Sequence, residues 1–129
     1  MADRGAARSL VVEDDNSVRE LLRVALSGGG YDVLLAENGL DALVQIDRAT
    51  PKPNLLLVDI MMPELDGLTL VRALKGNRET RNIPVVFITA KTDAKSIADG
   101  ISAGARYYVT KPFILEDLLA KVKRAIEAG

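Results

Sequence analysis

Cysteine and histidine are both absent from the 129 residues of this chain. Without thiols, it can form no disulfide, no thiolate metal site and no cysteine nucleophile. Without imidazole, it can carry no Ser-His-Asp triad, no histidine metal ligand and no phosphohistidine of its own. Any chemistry must therefore come from carboxylates, hydroxyls, lysines and the backbone.

An excess of charge is also lacking, because 17 Lys and Arg residues face 18 Asp and Glu residues, for a net charge of −1. Domains that bind nucleic acid are usually strongly basic, so no direct nucleic-acid partner is expected. The longest apolar runs have four or five residues, too few to span a membrane. Residues 1–9 lack the hydrophobic segment of a signal peptide. These features predict a cytoplasmic protein without a membrane partner.

Short apolar runs alternate with longer amphipathic segments along the chain. Uninterrupted apolar runs are typical of strands covered on both faces, as in parallel sheets, and the segments between them have helical spacing. Five such alternations predict an α/β fold, a doubly wound five-stranded parallel sheet with five helices in three layers. We expect residues 9–129 to form one domain and residues 1–8 an N-terminal extension. The five apolar runs are 9–12, 33–36, 55–58, 84–88 and 107–109.

Two of the predicted helices have informative sequences. The first follows Asp15, a typical N-cap residue, and should end at glycines 28–30. The fourth, residues 94–103, has only Ile97 and Ile101 as large apolar residues. Gly100 interrupts it, at a cost of about 1 kcal/mol relative to alanine. We therefore expect the fourth helix to be the least stable one and the element that moves.

Polar residues follow four of the predicted strands. Glu13 and Asp14 follow the first, Asp59 the third, and Thr89 and Lys111 lie at the ends of the fourth and fifth. The carboxyl ends of parallel strands meet at one edge of a sheet, so these side chains should converge. Clustered carboxylates repel one another unless a pKa rises or a cation binds, and an all-oxygen site favours Mg²⁺, with Mn²⁺ as an alternative. A facing lysine would attract a phosphoryl group, so the cluster predicts phosphotransfer. Each residue alone also has an ordinary structural explanation.

Four motifs in order make the chain recognisable. It resembles the receiver domain of bacterial two-component response regulators, of the single-domain chemotaxis type, from residue 10 to residue 126. The resemblance implies a flavodoxin-like fold with strand order 2-1-3-4-5. The motifs are LVVEDD (10–15), LLLVDIMMPELDG (55–67), VVFITA (85–90) and GARYYVTKPF (104–113).

The resemblance implies a role for each residue of the predicted cluster. Asp59 matches the aspartate that accepts the phosphoryl group. Glu13 and Asp14 match the acidic pair that binds Mg²⁺, with Asp59 and the backbone carbonyl of Met61 as further ligands. Lys111 matches the lysine that pairs with a phosphoryl oxygen.

Other matched positions concern switching and the lifetime of the phosphoryl group. Thr89 matches the switch hydroxyl and Tyr108 the aromatic switch residue, and the bond between Lys111 and Pro112 resembles the family's cis peptide. Met61 and Lys91 match the positions that tune self-dephosphorylation. Since Met61 cannot orient a water molecule, we expect the phosphoryl group to persist for on the order of minutes or more.

The resemblance also implies partners. The donor would be a sensor histidine kinase or a histidine phosphotransfer protein, and the chain would catalyse only its own phosphorylation and slow dephosphorylation. The face formed by the fourth helix, fifth strand and fifth helix would control a downstream target protein or a fused output domain, and could support a weak dimer of an otherwise monomeric chain. Val18, Leu21 and Leu22 on the first helix could contact the kinase or belong to the core.

The sequence leaves two alternative functions open. The chain could be the receiver of a longer regulator with a DNA-binding or enzymatic output domain, although Met1 and the short C-terminal segment favour a stand-alone protein. It could also be a phosphatase with an aspartyl-phosphate intermediate. Such enzymes resemble this chain in fold but place a second aspartate two residues after the nucleophile. Met61 occupies that position here, which disfavours turnover of a small substrate.

Overall fold

Ten elements alternate strictly between strand and helix in the computed structural model, which describes residues 6–128. This alternation confirms the α/β prediction, with boundaries within one or two residues of the apolar runs. The elements are β1 (Arg8–Val12), α1 (Asn16–Gly28), β2 (Asp32–Ala36), α2 (Gly39–Arg48), β3 (Leu55–Val58), α3 (Gly67–Lys75), β4 (Val85–Thr89), α4 (Ala94–Ser102), β5 (Tyr107–Thr110) and α5 (Leu115–Ala128).

The five strands form one parallel sheet in the order β2-β1-β3-β4-β5, as predicted. β2 pairs with one side of β1, and the later strands are added on the other side of β1. As a result β1 and β3 are neighbours in the sheet although β2 lies between them in the sequence. Val12 at the end of β1 is in register with Val58 at the end of β3. The loops that follow these two strands therefore start next to each other, at the switch point where such folds bind ligands.

Each face of the sheet is covered by its own apolar core. Leu10 and Val12 of β1 pack into a core with α2 and α3, whereas Val11 packs into a core with α1 and α5. Because successive strand residues point to opposite faces, both faces of a strand need apolar side chains, and this explains the uninterrupted runs. Each fully buried leucine contributes about 2 kcal/mol to folding. Tyr107 and Tyr108 likewise contact opposite cores.

The start of four of the five helices is fixed by a capping side chain at the carboxyl edge of the sheet. Asp15 accepts a hydrogen bond from the Val18 amide, which confirms it as the N-cap of α1. Such a bond satisfies one of the amides that a helix leaves without an internal partner. Three further helices begin in the same way, at Asn38 for α2, Asp66 for α3 and Asp93 for α4.

The structure shows where the apolar residues of α1 and the glycine of α4 lie. Leu22 is fully buried while Leu21 is 48% exposed, so the first residue belongs to the core and the second is open to contact. Gly100 is buried, and a Cβ there would lie 2.7 Å from Cδ2 of the Tyr108 ring. The absence of a side chain at Gly100 therefore permits a close approach between α4 and β5, and it also lowers the helix propensity of α4.

Among residues 6–128, no helix is both long enough and apolar enough to cross a membrane. Within the described part of the chain, the Thr50–Pro51 and Lys111–Pro112 peptide bonds are cis. Only the second of these was predicted from the sequence.

Candidate functional site

Three carboxylates from two neighbouring loops meet at the carboxyl edge of the sheet. Glu13 and Asp14 directly follow β1, and Asp59 directly follows β3. One carboxylate oxygen from each lies within 4.8 Å of the others. Glu13 and Asp59 are 1% and 4% exposed, whereas Asp14 is exposed. The cluster is thus anchored in the interior and open to solvent on one side.

Lys111, which follows β5, reaches two of these carboxylates. Its Nζ lies 2.7 Å from Oε1 of Glu13 and 2.9 Å from Oδ2 of Asp59. Buried charges are tolerated when they are paired and hydrogen-bonded, and this single ammonium provides that pairing for both carboxylates. Three carboxylates nevertheless face one ammonium, so negative charge remains in excess.

The environment shifts the pKa values of Glu13 and Lys111 in the same direction. Burial raises the pKa of the Glu13 carboxyl, and the charge of Asp59 adds to this, against the lowering effect of hydrogen bonds from Lys111 and from the Asp15 amide. Burial lowers the pKa of Lys111, but its hydrogen bonds to Glu13 and Asp59, together with the negative charges of these two carboxylates, outweigh burial and raise the pKa above the ordinary value. Lys111 therefore stays charged at neutral pH.

Backbone groups orient Asp59. The Met61 amide donates a hydrogen bond to Oδ1 of Asp59 at 3.0 Å, so both carboxylate oxygens have a donor. Gly67 packs directly behind this loop, since a Cβ there would collide with the Asp59 carbonyl oxygen. Only glycine allows α3 to begin so close to the end of β3. The position of Asp59 is therefore set by main chain on two sides.

A second cluster surrounds the loop between β4 and α4. Thr89 is fully buried, and its hydroxyl accepts a hydrogen bond from the Lys91 amide at 3.4 Å. The Tyr108 hydroxyl donates to the Lys91 carbonyl at 2.8 Å, and its ring meets Phe87 edge-on with centroids 6.3 Å apart. Burial raises the pKa of Tyr108, and the charges of Asp93 and Asp59 add to this effect. Thr89 and Tyr108 thus contact the same loop residue from two strands.

The structure therefore divides the predicted site residues into two groups. Glu13, Asp14, Asp59 and Lys111 come together, whereas Thr89, Lys91 and Tyr108 are joined around the β4–α4 loop. The Met61 amide faces Asp59, but the Met61 residue is 53% exposed.

Arg19 is a further residue of the site that the sequence motifs did not indicate. Its Nη1 donates to the backbone carbonyl of Glu13 at 2.7 Å. The only sequence signal was an arginine in the first turn of the helix that follows the acidic residues.

The carboxylate cluster fits a hard divalent cation. All three donors are oxygens, they lie close enough to share one ion, and Asp14 leaves an approach from solvent. Mg²⁺ prefers such carboxylate oxygens, whereas zinc favours nitrogen and sulfur ligands.

Comparisons with known proteins agree with this geometry. Residues 9–123 match the family model of the response regulator receiver domain. The response regulator MprA of Mycobacterium tuberculosis is 44% identical over 118 residues, which are 92% of this chain and 50% of MprA. The chain therefore spans about half the length of the curated relatives it matches.

Solved structures show the same fold. The signal receiver domain of a histidine kinase from Syntrophus aciditrophicus is 33% identical, with a TM-score of 0.88 over 95% of this chain and 92% of that one. The chemotaxis protein CheY4 of Vibrio cholerae is 28% identical, with a TM-score of 0.87 over 94% and 99%. Receiver domains are signalling modules rather than enzymes that turn over small substrates. By motif, fold and family match, this chain belongs to the receiver domains of two-component response regulators.

Proposed function

We propose that Asp59 accepts a phosphoryl group from a phosphohistidine on a sensor histidine kinase or a histidine phosphotransfer protein. The observation that carries this proposal is the position of Lys111, which bridges Asp59 and Glu13 beside the exposed Asp14. A carboxylate can attack phosphorus, and an adjacent ammonium offsets the charge of the phosphoryl oxygens during the transfer.

In the proposed reaction, an oxygen of Asp59 forms a bond to phosphorus while the nitrogen–phosphorus bond of the donor breaks. The donor imidazole leaves with the electron pair of that bond. Lys111 offsets the charge of the phosphoryl oxygens, and the Met61 amide keeps the Asp59 carboxylate oriented. Glu13, Asp14, Asp59 and the Met61 carbonyl would hold Mg²⁺, or Mn²⁺ in its place, which would further shield the phosphoryl charge.

The proposed switch follows from the added charge. An aspartyl phosphate carries roughly one more negative charge than the carboxylate it replaces. The Thr89 hydroxyl would donate a hydrogen bond to a phosphoryl oxygen, and this would pull on the β4–α4 loop, whose Lys91 amide is bonded to Thr89. Tyr108 would be affected in turn, because its hydroxyl is bonded to the Lys91 carbonyl. This shifts the population between two packings of the α4–β5–α5 face, which a target would read.

Loss of the phosphoryl group is proposed to be slow. Attack by water is faster where a neighbouring side chain orients the water or accepts its proton. Neither the thioether of Met61 nor the ammonium of Lys91 can accept a proton in this role. The same lack supports a signalling role over a phosphatase that turns over a substrate.

We propose residues 9–129 as the receiver domain and residues 1–8 as an extension. A longer regulator with an output domain is a second candidate, and the half-length coverage of MprA supports it. The face that controls a target could equally contact a fused domain or a second copy of the chain in a weak dimer.

The test is an intact-mass measurement after incubation with Mg²⁺ and a small phosphodonor such as acetyl phosphate. Wild type should gain one phosphoryl group and Asp59→Asn none. Asp66→Asn is the matched control, because Asp66 lies on the same β3–α3 loop as Asp59. Asparagine should cap α3 as well as aspartate does, so this variant should gain one phosphoryl group. A phosphoryl group on Asp59→Asn would refute the proposed acceptor.

A further inference from the structure

We infer that Arg19 is a positioning residue that holds the β1–α1 loop, residues 13–15, so that Asp14 stays at the cation site. Its Nη1 donates to the Glu13 carbonyl at 2.7 Å, and its Nη2 donates to Oδ1 of Asn16. The guanidinium thereby ties the end of β1 to the first turn of α1. This inference rests on the cation site of the proposed function.

The contacts of the loop explain why one more bond matters. The Glu13 amide donates to the Ala36 carbonyl at 3.0 Å, and Oε2 of Glu13 accepts from the Asp15 amide at 3.1 Å. The Glu13 carbonyl belongs to the peptide that leads into Asp14, and Arg19 holds it. Asp14 itself is exposed, so the main chain on either side of it sets where its carboxylate lies.

Geometry rather than charge is the basis of this role. A guanidinium presents N–H groups in a rigid planar fork, so it can serve the Glu13 carbonyl and the Asn16 side chain together. A lysine has the same charge without the fork. The two effects of Arg19 on a bound cation have opposite signs: its charge repels the cation, whereas its hydrogen bonds preorganise a ligand. Removing the side chain therefore distinguishes them.

The experiment measures Mg²⁺ affinity by calorimetric titration of the full chain and of three variants. Arg19→Gln removes the charge and the fork, and Arg19→Lys removes only the fork. Arg23→Gln is the matched control one turn later on α1, where the arginine bonds to the Glu20 side chain at 2.8 Å. We expect Arg19→Lys to bind Mg²⁺ about fivefold more weakly, the equivalent of one hydrogen bond. Arg19→Gln should also bind more weakly, but by a smaller factor because its lost charge no longer repels the cation, and Arg23→Gln should stay within about twofold of wild type.

Hydrogen exchange of the Asp15 amide gives a second readout that needs no metal. Its bond to Glu13 should open more often once the loop is released, so exchange should be about fivefold faster in both Arg19 variants and unchanged in Arg23→Gln. Thermal unfolding in EDTA checks that each variant is folded. If Arg19→Gln does not fold, Arg19→Lys still tests the positioning role.

The outcomes separate this inference from the proposed function. Unchanged or tighter Mg²⁺ binding in Arg19→Gln, with an unchanged Asp15 exchange rate, would overturn the positioning role and leave the proposed function intact. Failure of wild type to bind Mg²⁺ would overturn the cation site and with it the role of Arg19 in metal binding. The exchange rates would then still decide whether Arg19 holds the loop.

Discussion

Two partly buried lysines lie at opposite edges of the sheet and differ in their partners. Lys111 at the carboxyl edge donates to two carboxylates, of Glu13 and Asp59. Lys75 at the end of α3 donates to two backbone carbonyls, of Arg81 at 3.0 Å and of Ile83 at 3.1 Å. The pKa of Lys111 is raised, whereas burial and the nearby charge of Arg106 lower the pKa of Lys75.

The difference shows how a structural lysine can be told from a functional one. Carbonyl partners are neutral, so the Lys75 ammonium ties down the loop before β4 without attracting another ion. Carboxylate partners carry charge, and around Lys111 they outnumber the ammonium. The surplus of negative charge is what gives the carboxyl edge an affinity for a cation and for the phosphoryl group that a cation accompanies.

Removing each lysine in turn should have the largest effect. Lys111→Met should slow phosphoryl uptake by about 100-fold or more, because it removes a charge that stabilises the transferring group. Lys75→Met should leave the rate within about twofold while destabilising the fold by about 1–2 kcal/mol, since two carbonyls lose a donor. Intact-mass time courses with Mg²⁺ and acetyl phosphate measure the rates. Equal slowing by both substitutions would contradict the comparison.

Two adjacent aspartates at the carboxyl edge, Asp14 and Asp15, should contribute differently to Mg²⁺ binding. Asp14→Asn should weaken Mg²⁺ binding by about tenfold or more, since it removes a charged ligand. Asp15→Asn should have a several-fold smaller effect, because Asp15 caps α1 and asparagine keeps that cap. Calorimetric titration provides both affinities. If the Asp15 variant lost as much affinity as the Asp14 variant, general charge rather than ligation would explain the site.

A substitution inside α4 tests how closely this helix packs against β5. Gly100→Ala places a Cβ 2.7 Å from the Tyr108 ring, so the ring must move and its bond to the Lys91 carbonyl weakens. We expect a net loss of about 1–3 kcal/mol in the free energy of unfolding, despite the better helix propensity of alanine. Gly28→Ala in α1, where a Cβ meets nothing within 4 Å, is the control and should be neutral or stabilising. Urea unfolding that ranks the two variants alike would contradict this packing.

The smallest expected effect is a pH dependence at the amino edge. The pKa of Lys75 in the folded state lies below its ordinary value of 10.5. At pH values between these two pKa values, the unfolded chain therefore binds more protons than the folded chain. The part of the stability that is linked to this pKa is therefore fully present above pH 10.5 and is lost as the pH falls through the folded pKa, whereas the two hydrogen bonds of the Lys75 ammonium still contribute at neutral pH. The free energy of unfolding of wild type, relative to Lys75→Met, should rise as the pH increases towards 10.5. A flat or falling difference in urea unfolding would contradict the lowered pKa.

The sequence predicted the elements and the carboxylate cluster because both depend on local rules. Capping at Asp15 involves residues three apart, and the strand-end rule needs only the strands and their parallel order. Gly100 was interpreted as a helix defect because its contact with the Tyr108 ring belongs to tertiary packing. The assignment of Leu21 to the surface and Leu22 to the core also depends on how α1 is rotated against the sheet.

Sequence alone thus determined the alternation of strands and helices, the helix caps and the kinds of side chain at the strand ends, since periodicity and capping act over a few residues. Tertiary structure alone decided which atoms of those side chains pair and at what distance. Lys111 and Glu13 lie 98 positions apart in the chain, and only the strand order and register bring them to 2.7 Å. It also decided that Arg19 serves the carboxyl edge and Lys75 the opposite one, because hydrogen bonds to backbone carbonyls leave no pattern in the sequence.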